Sequence, residues 1–252
     1  MAITANITYY NEPHMLEWWY RTFTLLNKEG FDLRLNIADD GSQRQPAIDF
    51  FKKHPQQPFI RLFRVKEDIG FNSHGCRNLL MKQTETDWNI LSDIDRHYTD
   101  DTLIDILESE DKDPNVHYSF FALKTRTSTL NEYVIHKDAF WKSGGYDEEF
   151  VNIHWGDRIF FDTSLFPVCP RVIRKRWECE YVRGARNLLS GDNATTQYPD
   201  DHTLITPKYP PGHPWASNKN RQEMINFIRT RNADPEQRLN KPVINFKWER
   251  LL

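Results

Sequence analysis

Residues Asn89 to Asp101 read "NILSDIDRHYTDD". Apolar Ile90 and Leu91 give way abruptly to Asp93-Ile94-Asp95, so a strand that reads as buried ends in two carboxylates one residue apart. The pair has three readings: a helix cap, since aspartate is favoured at N-caps; a solvated turn; or half of a cation site. Asp100 and Asp101 fit the first, because they head a helical stretch (100–109) and face its positive end. Two carboxylates at i and i+2 can turn toward one hard cation where the backbone bends. Mg²⁺ or Mn²⁺ takes such oxygen ligands and fills its other positions with water and substrate phosphate. A departing pyrophosphate gains most from that arrangement, since the charge develops as the bond breaks.

Working outward, short apolar strands alternate with amphipathic helices. "ANITYY" (5–10) reads as a strand, and "NEPHMLEWWYRTFTLLNKE" (11–29) begins as a turn and becomes a helix. Pro13 suits a helix start, and Leu16, Trp19, Tyr20, Phe23 and Leu26 recur at helical spacing. Strands follow at 31–38, 59–65 and 87–95, separated by helices at 47–54 and 73–84. This alternation predicts an α/β fold with a mixed, mostly parallel sheet flanked by helices. In such sheets ligands bind outside the carboxyl ends of the strands, and the polar signals lie there: Tyr10-Asn11-Glu12, then Asp39-Asp40-Gly41-Ser42, then Asp93 and Asp95.

Each signal also has a structural reading. Asp39 to Ser42 is a type I turn by composition, although an aspartate there can equally accept from a pyrimidine N–H or a ribose hydroxyl. Arg77, in "GFNSHGCRN" (70–78), either pairs with a surface acid or serves a diphosphate at a helix start.

Composition narrows the class. The 252 residues carry a formal net charge of −3 and eight tryptophans. The charge argues against general nucleic-acid binding, and the aromatics suit platforms for flat or sugar-like ligands. Cys76, Cys169 and Cys179 are odd in number and widely spaced, which fits reduced thiols rather than a disulfide framework. The sequence shows no signal-peptide pattern and no run of 18 apolar residues. The expectation is a cytoplasmic protein without a membrane span, and nothing calls for an obligate protein partner.

The succession "ITYYNE", "IADDGS", "RVKEDIGFNSHGCRN" and "WNILSDID" resembles the family 2 glycosyltransferases of the GT-A fold. The resemblance implies that Tyr10, Asn11, Glu12, Asp39, Asp40, Arg77 and Asp93 contact a nucleoside diphosphate. It also implies that Asp95, with Asp93, holds Mn²⁺ or Mg²⁺. A third metal ligand in such enzymes is often a late histidine, here His213 or His202, each of which also reads as a plain loop residue. Further on, "VIHKDAFWKSGGYDEEF" looks like the acceptor-side segment, implying that Trp141, Gly145, Tyr146, Asp147 and Glu148 shape the sugar pocket. "IHWGDRIFF" is similar to the element that carries the general base. It lacks the usual Glu-Asp pair, which leaves Asp157 as the base, Trp155 against the sugar, and Glu148 and Glu149 as rivals; Asp157 also suits a helix cap.

The resemblance implies a catalytic domain at 1–186, with a nucleotide-sugar-binding half (1–115) and an acceptor-side half (116–186). Residues 187–252 would be a loop-rich extension whose terminal helix packs on the same domain. No Gln-x-x-Arg-Trp motif of processive synthases is present, so a single sugar would move, with inversion, from a nucleoside-diphosphate sugar, UDP-linked by expectation. The acceptor hydroxyl would lie on a glycan, a lipid-linked saccharide or a modified DNA base. The basic runs Arg171 to Arg186 and Lys219 to Arg231 are either solvated faces or a seat for a polyanionic acceptor. Two other classes stay open. A nucleotidyltransferase would want a Gly-rich, Lys/Arg-bearing first loop, which is not seen, and a non-catalytic nucleotide-sugar-binding module would keep the first half and lose the base.

Overall fold

The computed structural model describes residues 2–124, 126–151, 156–182 and 221–252. The first half runs β1 (Ile3–Tyr9), α1 (Pro13–Lys28), β2 (Leu33–Asp39), α2 (Ala47–Phe51), β3 (Ile60–Val65), α3 (Ser73–Gln83) and β4 (Trp88–Asp93). A short β5 (Arg96–Tyr98) and α4 (Asp100–Glu108) follow, then β6 (His117–Ala122), β7 (Thr127–His136) and α5 (Lys137–Lys142). A 3₁₀ turn (Glu148–Phe150) precedes α6 (Gly156–Phe160) and β8 (Arg171–Tyr181). The chain ends with α7 (Arg221–Ala233), α8 (Pro235–Leu239) and β9 (Trp248–Arg250).

Local chemistry explains the elements that place the site. Pro13 opens α1, and Leu16, Trp19, Tyr20, Phe23 and Leu26 form its buried face, as their spacing predicts. Thr99 caps α4 by accepting from the Thr102 N–H at 3.1 Å, with Asp100 and Asp101 in the first turn beside the helix's positive end. β7 stops at His136, whose Nδ1 accepts from the Asp138 N–H at 3.2 Å and starts α5.

One sheet of nine strands joins the described residues in the order β5-β8-β6-β7-β4-β1-β2-β3-β9. Its centre, β3-β2-β1-β4, is parallel, so four carboxyl ends share one edge. The register sets Tyr9 beside Asp39, Thr8 beside Asp93, and Asp39 beside Arg64 along that edge. One face packs α1 and α4 onto the sheet through Trp19, Phe23 and Ile106; the other buries Met81, Phe140, Tyr146 and Phe160.

Three strands, β5, β8 and β9, were not legible in the sequence. In β8 only Trp177 and Cys179 are buried, so no alternating apolar pattern marks it. It is held by Trp177 packing on Tyr118 and by two ion pairs to the α4 region, Arg174–Asp111 and Arg176–Asp105, each 2.8 Å. β9 is three residues long and completes the β3 edge in the antiparallel sense. Among the described residues no helix is long and apolar enough to cross a membrane.

Candidate active site

At the β2 end, the turn expected to read base and ribose is knitted largely to itself. Asp39 is fully buried; its Oδ1 accepts from the Ser42 N–H and its Oδ2 from the Ala47 N–H, both at 2.8 Å. Ala47 opens α2, whose preceding Pro46 cannot cap it, so Asp39 supplies the missing acceptor from a distance. Asp39 thus braces the turn through both carboxylate oxygens. Asn11 takes the left-handed conformation (φ 52°), which asparagine tolerates. Its N–H donates to Ser42 Oγ at 3.0 Å, and its Oδ1 accepts from the Arg44 and Gln45 N–H groups at 3.2 and 2.9 Å. Asn11, too, braces the loop.

Asp40 differs from its neighbour. Its Oδ2 accepts from the Asn72 N–H at 2.7 Å, while Oδ1 is buried with no hydrogen-bond partner among the described residues. Burial pushes its carboxyl well above the usual range, against the pull of that N–H. Tyr10 donates through Oη to Asp68 Oδ2 at 2.9 Å, and burial with that contact pushes its phenol up to about 12. Asp68 was missed in the sequence; the clue lay in Gly41 (φ +77°), where a Cβ would stand 2.8 Å from the Asp68 Cα. Glu12 precedes α1 and pairs with His14 at 3.4 Å.

At the β4 end the chain reverses through Ile94 into β5. Asp93 Oδ1 accepts from Arg77 Nη2 at 2.6 Å, and its Oδ2 from Asn131 Nδ2 at 3.2 Å. Asp95 Oδ1 is buried and has no partner among the described residues. Burial, then the Asp93 charge, pushes the Asp95 carboxyl up to about 7. Glu132 on β7, fully buried beside Arg96 (2.7 Å), is raised to about 7 by burial and the same Asp93 charge.

Arg77 joins this end to α6. It is buried, and its Nη1 donates to Asp157 Oδ1 at 2.6 Å and to Tyr146 Oη at 2.8 Å. Its Nη2 reaches Asp93 Oδ1 and, at 3.0 Å, the Asn131 carbonyl. These Nη contacts are internal, and the guanidinium joins two carboxylates, Asp93 and Asp157. Asp157 also accepts from Tyr146 Oη at 3.1 Å. Burial alone would raise its carboxyl; Arg77, with His74 and Tyr146, outweighs this and holds it far below the usual range.

The acceptor-side expectations divide. Tyr146 joins the Arg77 cluster and stacks on Phe160 at 3.9 Å. Trp141 does not reach the site: α5 follows β7, which runs antiparallel to β4, so it lies at the opposite edge of the sheet. There Trp141 Nε1 donates to the Met81 carbonyl at 3.4 Å. Asp147 is buried in a network with Arg231, Lys241 (3.1 Å) and Asn232 (3.1 Å), and Arg231 also pairs with Glu149. Glu148 accepts from Asn78 Nδ2 at 2.9 Å and from the Ile244 and Asn245 N–H groups at 2.5 and 3.1 Å. Both carboxylates thus anchor the C-terminal segment. Gly145 (φ +71°) keeps room for Asn78, whose Oδ1 a Cβ there would meet at 2.8 Å. Trp155, His202 and His213 lie outside the described residues, as do Arg183, Arg186 and Lys219 of the basic runs.

No protein-family model matches the sequence, and no curated protein matches it. Solved structures do match in shape. The structure of S. aureus TarS 1-349 in complex with UDP-GlcNAc superposes with a TM-score of 0.58 at 14% identity, covering 82% of this chain and 64% of that one. The same fragment in complex with UDP gives 0.57 at 14% identity, with 75% and 62% covered. The mannosyltransferase PcManGT from Pyrobaculum calidifontis, in complex with GDP-Man and Mn²⁺, gives 0.54 at 12% identity, with 71% and 56% covered. The chain therefore spans between 56% and 64% of these three structures. At such identities the likeness is one of fold: a mixed α/β architecture of the GT-A type, with a central sheet flanked by helices.

Proposed function

We propose that this chain is a glycosyltransferase of the family 2 kind, moving one sugar from a nucleoside-diphosphate sugar to an acceptor hydroxyl with inversion. The observation that carries the reading is the Arg77 bridge, which brings Asp93, from the end of a central strand, and Asp157, from α6, to one guanidinium at the carboxyl edge of the sheet. The shared fold supports it, since similar structures hold UDP, UDP-GlcNAc or GDP-Man. A UDP-linked donor is the proposed form.

Asp93 and Asp95 are the residues that would hold Mn²⁺ or Mg²⁺. They offer hard oxygen donors, one of them the unpartnered Asp95 Oδ1. Among the described residues no third His, Cys, Asp or Glu joins them, so the diphosphate and water would supply the remaining ligands. Such a cation, when bound, neutralises charge on the departing diphosphate. Asp40, whose buried Oδ1 has no hydrogen-bond partner among the described residues, is the turn residue assigned here to a base or ribose. The acceptor oxygen attacks the anomeric carbon in line as its proton passes to Asp157 Oδ2. The diphosphate leaves with the electron pair of the broken C–O bond, which inverts the anomeric centre.

One observation favours a second reading. A carboxylate held as far down as Asp157 is a weak base, which suits a nucleotide-sugar-binding module that does not turn over. A panel of nucleotide sugars with Mn²⁺, assayed for nucleoside-diphosphate release, separates the two. The acceptor arms are a glycan, a lipid-linked saccharide and hydroxymethylated DNA. Acceptor-stimulated release from one donor is expected. Donor binding without release under any arm would select the binding module.

A further inference from the structure

The turn that carries Asp93 and Asp95 is anchored through its own carbonyls. Asp93 O accepts from Ser92 Oγ, Ile94 O from the Trp19 indole Nε1–H, and Asp95 O from the Val182 N–H, each at 2.9 Å. Three successive main-chain oxygens are thus engaged within the protein, and the turn presents its carboxylates to a cation. The two carboxylates are fixed unequally. Asp93 is held by Arg77 and Asn131, whereas Asp95 Oδ1 has no partner among the described residues to aim it. The direction of Asp95 therefore follows from its backbone. The Ile94 carbonyl belongs to the planar peptide that enters Asp95, and the Asp95 carbonyl to the one that leaves it. Trp19 and Val182 hold one each.

Trp19 is the side chain among these anchors that reaches the turn from a distant element. It is fully buried in the face that α1 packs on the sheet, edge-on to Tyr98 at 5.7 Å and tilted against Phe23 at 5.6 Å. An indole has one donor and no acceptor, and here that donor goes to the peptide between the two acids. Tyr98 Oη lies 2.6 Å from Ser92 Oγ, which ties the first anchor to the same aromatic cluster. Neighbouring Trp18 stacks on His97 at 4.1 Å and 9°. Helix α1 thus holds both limbs of the turn, at Ile94 before Asp95 and at His97 after it.

We propose that Trp19 is a positioning residue for the divalent-cation site. By holding the Ile94 carbonyl, its indole N–H fixes the peptide plane from which Asp95 projects. Asp95 is thereby aimed without a side-chain partner that would compete with the cation. This rests on the assignment of the cation to Asp93 and Asp95.

Trp19→Phe keeps an aromatic ring in the core and removes the N–H. The quantity to measure is the Mn²⁺ concentration that half-saturates UDP binding, by calorimetry on the full chain. It should rise about tenfold in Trp19→Phe, the scale of losing an outer-shell partner of a metal ligand. Phe23→Leu disturbs the same packing without touching the turn, so it should lower Tm and leave the Mn²⁺ requirement unchanged. In ¹H–¹⁵N spectra with UDP present, the Trp19 indole resonance, assigned by its loss in Trp19→Phe, should shift on adding Mg²⁺ and stay in place in Asp95→Asn. An Mn²⁺ requirement equal in Trp19→Phe and wild type, a rise as large in Phe23→Leu, or an indole resonance unmoved by Mg²⁺ would each overturn the positioning role. None of these would count against the cation site or glycosyl transfer. UDP binding by the wild type that is indifferent to Mn²⁺, or no UDP binding, would remove the role together with the cation assignment.

Discussion

The ends of β2 and β4 carry the same chemistry in sequence and meet opposite fates. Each is a central parallel strand that terminates in a pair of acids. At β2 the chain bends so that backbone N–H groups arrive around the carboxylates: Ser42 and Ala47 at Asp39, Asn72 at Asp40. Three of the four oxygens are satisfied locally and the turn becomes a scaffold. At β4 the chain folds straight back into β5. Asp93 is met by side chains, Arg77 and Asn131, and Asp95 keeps an oxygen without a partner. The two acid pairs thus differ in which groups meet their carboxylates, not in residue type.

The largest effect should come from removing the side chain that makes the β4 end special. Arg77→Met leaves Asp93 and Asp157 without their common cation and should cost about 3 kcal/mol or more, since breaking a buried pair strands its charges. Turnover should vanish with it. Denaturant unfolding and single-turnover assays would check both, and a stable, active variant would remove the bridge from the account.

Next in size, Asp95→Asn should lower turnover by about 100-fold or more, the scale of losing a transition-state electrostatic contact, while the fold is kept. The stability effect has the opposite sign. Asp95 and Glu132 are raised to about 7, so the folded state binds protons more tightly than the unfolded one. Their contribution is fully present below an ordinary carboxylate pKa of about 4 and is lost as pH rises through about 7. Without divalent cation, Tm should fall between pH 5 and pH 8, and Asp95→Asn should flatten that fall. A slope unchanged by the substitution would break the contrast between the two strand ends.

The smallest expected effect belongs to the β2 end and is one of stability. Asp39→Asn turns an amide donor against the Ser42 or Ala47 N–H and should cost about 1–3 kcal/mol, with donor affinity in the folded protein little changed. Chemical denaturation alongside nucleotide-sugar titration measures the two separately. A selective loss of affinity would return Asp39 to the nucleotide site.

Much of this arrangement was legible in the sequence. Alternating apolar strands and amphipathic helices announced a parallel core, and with it the edge where Tyr10, Asp40, Asp93 and Asp95 lie. β8 was hidden because its exposed arginines are stabilised by acids on and beside α4, contacts that no local pattern encodes. Asp147 and Glu148 sit in a motif that looks like a sugar pocket, yet their partners, Arg231, Lys241 and the Ile244–Asn245 backbone, arrive from the far end of the chain. Arg77 could be read as a phosphate ligand because its carboxylate partners are distant in sequence.

The claim tested most directly is that the β4 acids hold the cation that a nucleotide sugar needs. Calorimetric titration of UDP-sugar into the protein with Mn²⁺, and again with EDTA, should show binding that depends on the cation. In Asp95→Asn that dependence should be lost, while in Asp39→Asn it should persist. Equal affinity with and without Mn²⁺ in the wild type, or a cation dependence that survives Asp95→Asn intact, would contradict the account.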